Sequence, residues 1–244
     1  MNMDPKRRRG IYLLPNLFTT AGLFAGFYAV ISAMNGKFEA AAIAIFVAMV
    51  MDGFDGRVAR MTNTQSDFGK EYDSLADMVS FGLAPALVIY QWALAPLGKI
   101  GFVGAFVFAA GAALRLARFN TQAATDDKRY FQGLASPAAA ALVAGVVWVG
   151  DNLAWVREDW SVVALILTVS AGLLMVSNVR YYSFKDVNLK GRVPFMKILI
   201  VVGLFGLVAM DPAIVLFGMA LLYALSGLVL TLVQLRQRRA ERKV

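Results

Sequence analysis

The 244-residue chain contains neither cysteine nor histidine. That double absence excludes disulfides, thiolate nucleophiles, phosphohistidine intermediates and Cys/His zinc sites, so any metal must be held by oxygen ligands. Charge is scarce as well, at 16% of residues, against 59% hydrophobic residues and a mean hydropathy of +0.63. Such a composition excludes a water-soluble domain and points to a polytopic membrane protein. The net charge of +8 is no argument for nucleic acid, because Lys and Arg of membrane proteins gather in cytoplasmic loops. No internal repeat and no Ser- or Pro-rich linker divides the chain.

Apolar runs long enough for a ~30 Å hydrocarbon core fall at roughly 16–34, 39–60, 74–95, 100–118, 134–150, 160–178, 194–210 and 213–235. Lipid offers the backbone no hydrogen-bond partners, so these runs predict about eight transmembrane helices and an all-α fold. Of the 24 Lys and Arg, only Lys37, Lys99 and Arg157 fall on one side of that topology. The asymmetry places both termini in the cytoplasm of a multi-pass cytoplasmic-membrane protein. The organisation expected is a basic N-terminal segment over 1–15, a transmembrane catalytic domain over 16–235 and a basic tail over 236–244. The opening MNMDPKRRRGIYLLPN resembles a secretory signal in charge, but its apolar run continues to about Met34 without a small-residue cleavage site. Ile11 to Leu14 fit a short interfacial helix, with the basic cluster near anionic lipid, but a topology signal alone is the favoured reading, since every such cluster orients a helix. The seventh and eighth runs are separated only by Met210, Asp211 and Pro212 and also fit one broken hairpin.

Against this apolar background stands DGFDGRVARMTNTQSDFGKEYDSLAD, residues 52–77. Asp52 and Asp55 lie three residues apart near the end of the second run, on one helix face with Ala59. Asp73 and Asp77 lie four apart at the start of the third, with Gly69 one turn earlier on the same face. Acids at bilayer depth are costly enough to suggest function. Four unpaired carboxylates at adjoining helix ends would repel one another, and two divalent cations would balance them. Oxygen-only ligands favour Mg²⁺ or Mn²⁺, with Ca²⁺ an alternative, and paired metals suit phosphoryl transfer. Gly56 and Ala59 leave room for a flat base or a diphosphate against the helix, and Arg60 can pair with phosphate. Helix capping is the ordinary use of such aspartates, but it explains neither the second acid of each pair nor the small residues beside them.

This frame, with Gly69 inside it, resembles the signature of the CDP-alcohol phosphotransferase family, membrane enzymes that displace CMP from a CDP-linked donor with an alcohol. The resemblance implies a CDP-alcohol phosphotransferase-like helix bundle and a homodimer, and the Lys and Arg asymmetry puts the acid frame, hence the expected active site, at the cytoplasmic helix ends. It implies that Asp52, Asp55 and Asp73 bind one metal, that Asp52, Asp73 and Asp77 contact a second, and that Asp77 is the general base. It further implies that Gly56, Ala59, Arg60 and Gly69 line the cytidine diphosphate site. Pro15 to Thr19 are similar to the family's first-span motif, so Asn16 and Thr19 are candidate nucleotide contacts; a plain interfacial helix start fits them equally.

Arg115-Leu116-Ala117-Arg118-Phe119-Asn120 closes the fourth run on the cytoplasmic side. Two arginines at i and i+3 share a face and suit an amino-acid carboxylate or a lipid phosphate, or they are positive-inside anchors. With Gly133 to Ala140, this segment resembles the phosphatidylserine synthase branch of the family, except that Ala135 replaces the usual proline. The implied reaction transfers a phosphatidyl group from CDP-diacylglycerol to L-serine, with Arg115, Arg118 and Asn120 at the acceptor. The missing histidines exclude the unrelated phospholipase-D-like enzymes that make the same product. Glycerol 3-phosphate or inositol phosphate remains an alternative acceptor, and an ion-coupled transporter using the acids as a cation site is the alternative of another class. The basic stretch from Arg180 to Lys197, with Tyr181, Tyr182 and Lys185, is expected to anchor lipid rather than to close over a headgroup.

Overall fold

The computed structural model describes residues 5–62, 66–122, 130–182 and 195–241. Among them a helix occupies each of the eight apolar runs: α1 (Pro5–Met34), α2 (Phe38–Thr62), α3 (Asp67–Leu97), α4 (Lys99–Gln122), α5 (Ser136–Asn152), α6 (Arg157–Val176), α7 (Phe195–Met210) and α8 (Pro212–Glu241). Five stretches are long and apolar enough to cross a bilayer on their own: Pro15–Met34, Asp67–Leu97, Lys99–Thr121, Arg157–Val176 and Pro212–Val233. The protein is thus a predominantly helical membrane protein with several candidate spans. Two short strands, β1 (Tyr130–Gln132) and β2 (Arg180–Tyr182), pair antiparallel with Phe131 opposite Tyr181.

Local chemistry sets the helix ends. Gly36 (φ 72°) turns the chain between α1 and α2, and Gly98 (φ 58°) between α3 and α4, a backbone region open to glycine at little cost. Asp211 accepts a hydrogen bond from the Ile214 amide at 3.0 Å, capping α8 and making the short break after Met210 a true helix boundary. Pro15 lies inside α1, which runs through it from Pro5.

The core is rich in small residues. Ala29, Ala41, Ala42, Ala48, Ala112, Ala139 and Ala171 are almost fully shielded, as expected where helices associate by backbone approach rather than by exclusion of water. α1 packs chiefly on α2 and α4 on α6, while α5 lies between α2 and α8. At the α4–α6 crossing a Cβ on Gly111 would sit 2.5 Å from the Gly172 carbonyl oxygen. Large apolar side chains such as Phe102, Phe106, Leu199, Phe205 and Leu222 point outward, the surface a lipid-facing bundle requires.

α3 is not uniform. Its α-helical start, Asp67–Asp77, passes into a π-helical segment, Met78–Leu83, then α-helix again over Ala84–Ile89, a second π segment over Tyr90–Leu94 and a 3₁₀ turn over Ala95–Leu97. The first wide turn follows Asp77 and presents Ser80 to α1, where its hydroxyl donates to the Gly22 carbonyl at 3.1 Å. A Cβ on Gly26 would lie 2.6 Å from Ser80 Oγ. π segments of this kind recur at functional sites, and this one holds α1 close beside the acids.

At the opposite end of the bundle the Arg157 guanidinium lies 4.4 Å from the centre of the Phe38 ring and 3.4 Å from Asp151. Trp155 and Trp160 stack beside it at 3.8 Å, an aromatic grouping typical of a membrane–water interface. These contacts tie the α1–α2 turn to the α5–α6 turn.

Candidate active site

The Gly36 turn lays α2 back along α1, and the start of α3 packs on α1 as well. Asp52, Asp55 and Asp73 each offer a carboxylate oxygen within 4.8 Å of the others. Asp77, one turn beyond Asp73, shares with these three acids a narrow recess walled by Thr19, Gly22, Ala48, Ala76 and Ser80. Asp55 is buried, at 5% exposure, and accepts a hydrogen bond from Thr19 Oγ1 at 2.8 Å. Among the described residues none of the four acids is ion-paired to Lys or Arg within 4.0 Å. The cluster therefore offers carboxyl oxygens alone with no Lys or Arg of the described residues within ion-pair distance, and that donor set fits a hard divalent cation.

Next to the recess opens a cavity of about 320 Å³ lined by Pro15, Asn16, Thr19, Asp55, Gly56, Ala59, Arg60, Ser66, Gly69, Lys70 and Asp73. All six residues expected around a nucleotide thus border one space, which also touches the acids. A Cβ on Gly56 would meet nothing within 4 Å, so no neighbouring side chain demands glycine there, and the open space is the cavity itself. Gly69 is different: its amide donates to Ser66 Oγ at 3.0 Å in the cap of α3, and a Cβ there would sit 3.1 Å from that oxygen. Arg60 Nε donates to the Gly56 carbonyl at 2.8 Å, which anchors the guanidinium along α2 at the cavity wall. Ser66 and Lys70 were not singled out from the sequence as site residues; an S-x-x-G capping pattern before α3 marks the first, whereas Lys70 reads as one more basic loop residue.

The arginine segment at the end of α4 approaches α3 from another side. Asn120 Nδ2 donates to Ser74 Oγ at 3.0 Å, and Ser74 immediately follows Asp73. Arg115 donates from Nη1 to Ser136 Oγ at 2.6 Å, at the first turn of α5, and interacts electrostatically with Asp77. Arg115 Nε and Arg118 Nη1 are buried without a hydrogen-bond partner. Unsatisfied buried donors are rare enough to call for a ligand or water. The structure thus brings Arg115 and Asn120 to the Asp73–Asp77 turn, while Arg118 sits one turn beyond Arg115 on the same helix.

Tyr181, expected at a lipid-anchoring loop, is instead fully buried. Its hydroxyl donates to the Ala224 carbonyl at 3.1 Å. A Cβ on Gly227 would come within 2.3 Å of the Tyr181 ring. An apolar notch in α8 therefore receives the ring, which sequence pattern could not reveal because the partners lie more than forty residues apart. Lys185 lies outside the described residues.

The family profile for CDP-alcohol phosphatidyltransferase matches residues 12–176, which include every acid of the cluster and the arginine segment. The chain is 38% identical over 215 residues to a Helicobacter pylori protein named CDP-diacylglycerol–serine O-phosphatidyltransferase, covering 88% of this chain and 90% of that one. It is 40% identical to a Mycobacterium tuberculosis protein of the same name, over 59% of this chain and 52% of that one. It is also 32% identical to the archaetidylserine synthase of Methanothermobacter thermautotrophicus, over 73% of each chain. With its acid frame, cavity and helical architecture, the chain belongs to the CDP-alcohol phosphatidyltransferase family.

Proposed function

We propose that this protein transfers the phosphatidyl group of CDP-diacylglycerol to the hydroxyl of L-serine, giving phosphatidylserine and CMP. The observation that carries the reading is the meeting of four aspartates with an open cavity on one side and two incompletely satisfied arginines on the other. The relatives named for serine transfer favour that acceptor.

In this reading the cavity takes the cytidine diphosphate portion of the donor. Gly56 and Ala59 leave the face of α2 bare, Asn16 and Thr19 border the base from α1, and Arg60 offers its guanidinium to phosphate. Gly69 permits the tight cap that holds α3 at the rim. Asp52, Asp55 and Asp73 would hold one divalent cation, and Asp52, Asp73 and Asp77 a second, with Mg²⁺ or Mn²⁺ suited to the ligands; when bound, such ions stabilise charge on phosphoryl oxygens and on the departing phosphate. Arg115, Arg118 and Asn120 bind and orient serine, and the carboxylate of Asp77 takes the proton of its hydroxyl. As the serine oxygen–phosphorus bond forms, the bond from that phosphorus to the oxygen of CMP breaks, and CMP carries away the electron pair. Donor acyl chains remain in lipid while nucleotide and serine enter from water.

The charge asymmetry supports eight spans with both termini and the acids at the cytoplasmic side, and the family resemblance supports a homodimer. Purified protein with Mg²⁺ or Mn²⁺ and CDP-diacylglycerol should release CMP when L-serine is added. Release with glycerol 3-phosphate or inositol phosphate but not with serine overturns the acceptor; serine flux into liposomes without CMP release would favour a transporter.

A further inference from the structure

A serine at the start of a helix ordinarily caps it. Ser136 does not, because Ala135 is the N-cap of α5 and makes no side-chain cap bond. Ser136 is instead fully buried, and its Oγ accepts from Arg115 Nη1 at 2.6 Å, short even for a charge-assisted bond. The chain just before it is strapped down. Gly133, at φ 78°, donates its amide to the Val179 carbonyl at 2.8 Å, and the Leu134 amide donates to the Leu174 carbonyl at 3.0 Å. These bonds fasten the start of α5 to the end of α6, so the Ser136 hydroxyl stands on a fixed mount.

Two helix contacts set Arg115 at the level of the acids. A Cβ on Gly82 would lie 3.1 Å from the Ala112 side chain, and Asn120 Nδ2 donates to Ser74 Oγ at 3.0 Å. α3 and α4 therefore run antiparallel here, with eight residues between the two contacts on each helix. Arg115, three residues on from Ala112, falls level with the stretch from Asp77 to Val79. The i, i+3 spacing keeps it on the flank of α4 that Ala112 turns toward α3.

A guanidinium presents five N–H groups in one plane. Ser136 engages Nη1, on the side away from the edge formed by Nε and Nη2. Nε is buried without a partner, and that edge has the spacing of the two oxygens of a carboxylate. An arginine side chain has several rotatable bonds, and fixing them costs entropy. A short bond from Nη1 to an immobile hydroxyl fixes the plane before ligand arrives, which lowers the cost of binding.

We propose that Ser136 is a positioning residue of the acceptor site, holding the Arg115 guanidinium so that its Nε edge meets the carboxylate of an amino-acid acceptor. This rests on the reading of Arg115 as an acceptor contact. Ser136 acts through the arginine and does not itself touch substrate.

The test is Ser136→Ala in the purified full chain, with CMP release measured over serine and CDP-diacylglycerol concentrations. KM for L-serine should rise roughly tenfold, the effect of one lost bond to a charged group, while kcat and KM for CDP-diacylglycerol stay within about twofold, the pattern of lost uniform binding. Ser136→Cys, which fills a similar space but accepts hydrogen bonds weakly, should show the same rise. Inhibition by L-alanine, which keeps the carboxylate but lacks the hydroxyl, should weaken in parallel, whereas inhibition by ethanolamine, which lacks the carboxylate, should not change. Arg115→Lys keeps the charge but has no planar fork to orient, so adding Ser136→Ala to it should change KM for serine less than twofold. An unaltered KM for serine in Ser136→Ala, equal weakening of both inhibitors, or a full tenfold effect retained in the Arg115→Lys background overturns the proposal. If Arg115→Lys alone leaves KM for serine unchanged, or if the wild-type protein does not use serine, the acceptor reading beneath the proposal fails instead.

Discussion

Thr19 donates its hydroxyl to Asp55 Oδ2 at 2.8 Å, joining the first helix to the acid cluster across thirty-six residues of sequence. Because Asp55 is buried, this bond both satisfies a carboxylate oxygen and fixes its direction. The hydroxyl also lies 3.2 Å from the Pro15 carbonyl, so Thr19 is itself held in place. In Thr19→Val the shape is kept and the bond is lost. Apparent affinity for activating metal should fall roughly 10- to 100-fold, as for other groups that orient metal-binding carboxylates; a metal titration of CMP release measures it.

Removing a carboxylate of the cluster should be far more severe. Asp73→Asn retains the volume but halves the oxygen ligands at a position shared by both proposed cation sites. CMP release should disappear while the protein still purifies as a folded species. Chelation of divalent ions should abolish turnover in the wild type and readdition of Mg²⁺ or Mn²⁺ should restore it; full activity of Asp73→Asn would remove the two-metal account.

Two glycines should respond in opposite ways. At Gly26 a Cβ would meet Ser80 Oγ at 2.6 Å and its Cα at 2.8 Å, whereas at Gly56 it would meet nothing within 4 Å. Gly26→Val should therefore separate α1 from the π segment of α3 and cost about 1–3 kcal/mol by overpacking, read as a lower melting temperature. Gly56→Leu should melt like the wild type and raise KM for CDP-diacylglycerol roughly tenfold, because the added side chain competes with ligand for the cavity.

Burial pushes the Tyr181 hydroxyl up to about 12, with Tyr223 nearby adding to the shift. A phenol ionises near 10 when unfolded, so folding favours the neutral form. The stability gained is present in full below about pH 10 and is lost as pH rises toward 12. Melting temperatures measured between those values should fall more steeply for the wild type than for Tyr181→Phe. The same variant should cost about 1 kcal/mol at neutral pH through the bond to the Ala224 carbonyl.

Hydropathy located a helix at each apolar run, because a lipid solvent leaves the backbone no alternative. The acid pairs were equally legible, since i, i+3 and i, i+4 spacing fixes their face before any tertiary contact exists. What sequence did not reveal depends on distant partners. The π segment after Asp77 follows from where Ser80 meets Gly22 and Gly26 on another helix. Tyr181 looked like a loop residue because its notch, Gly227, lies forty-six positions on. Ser136 is a plain helix start until Arg115 is placed beside it.

The most direct measurement follows both products of one incubation of purified protein with divalent metal, CDP-diacylglycerol and isotopically labelled L-serine. The account predicts phosphatidylserine carrying the label, formed in equal amount with CMP, and neither product from Asp77→Asn. CMP released without labelled lipid, or labelled phosphatidylserine formed at full rate by Asp77→Asn, would contradict it.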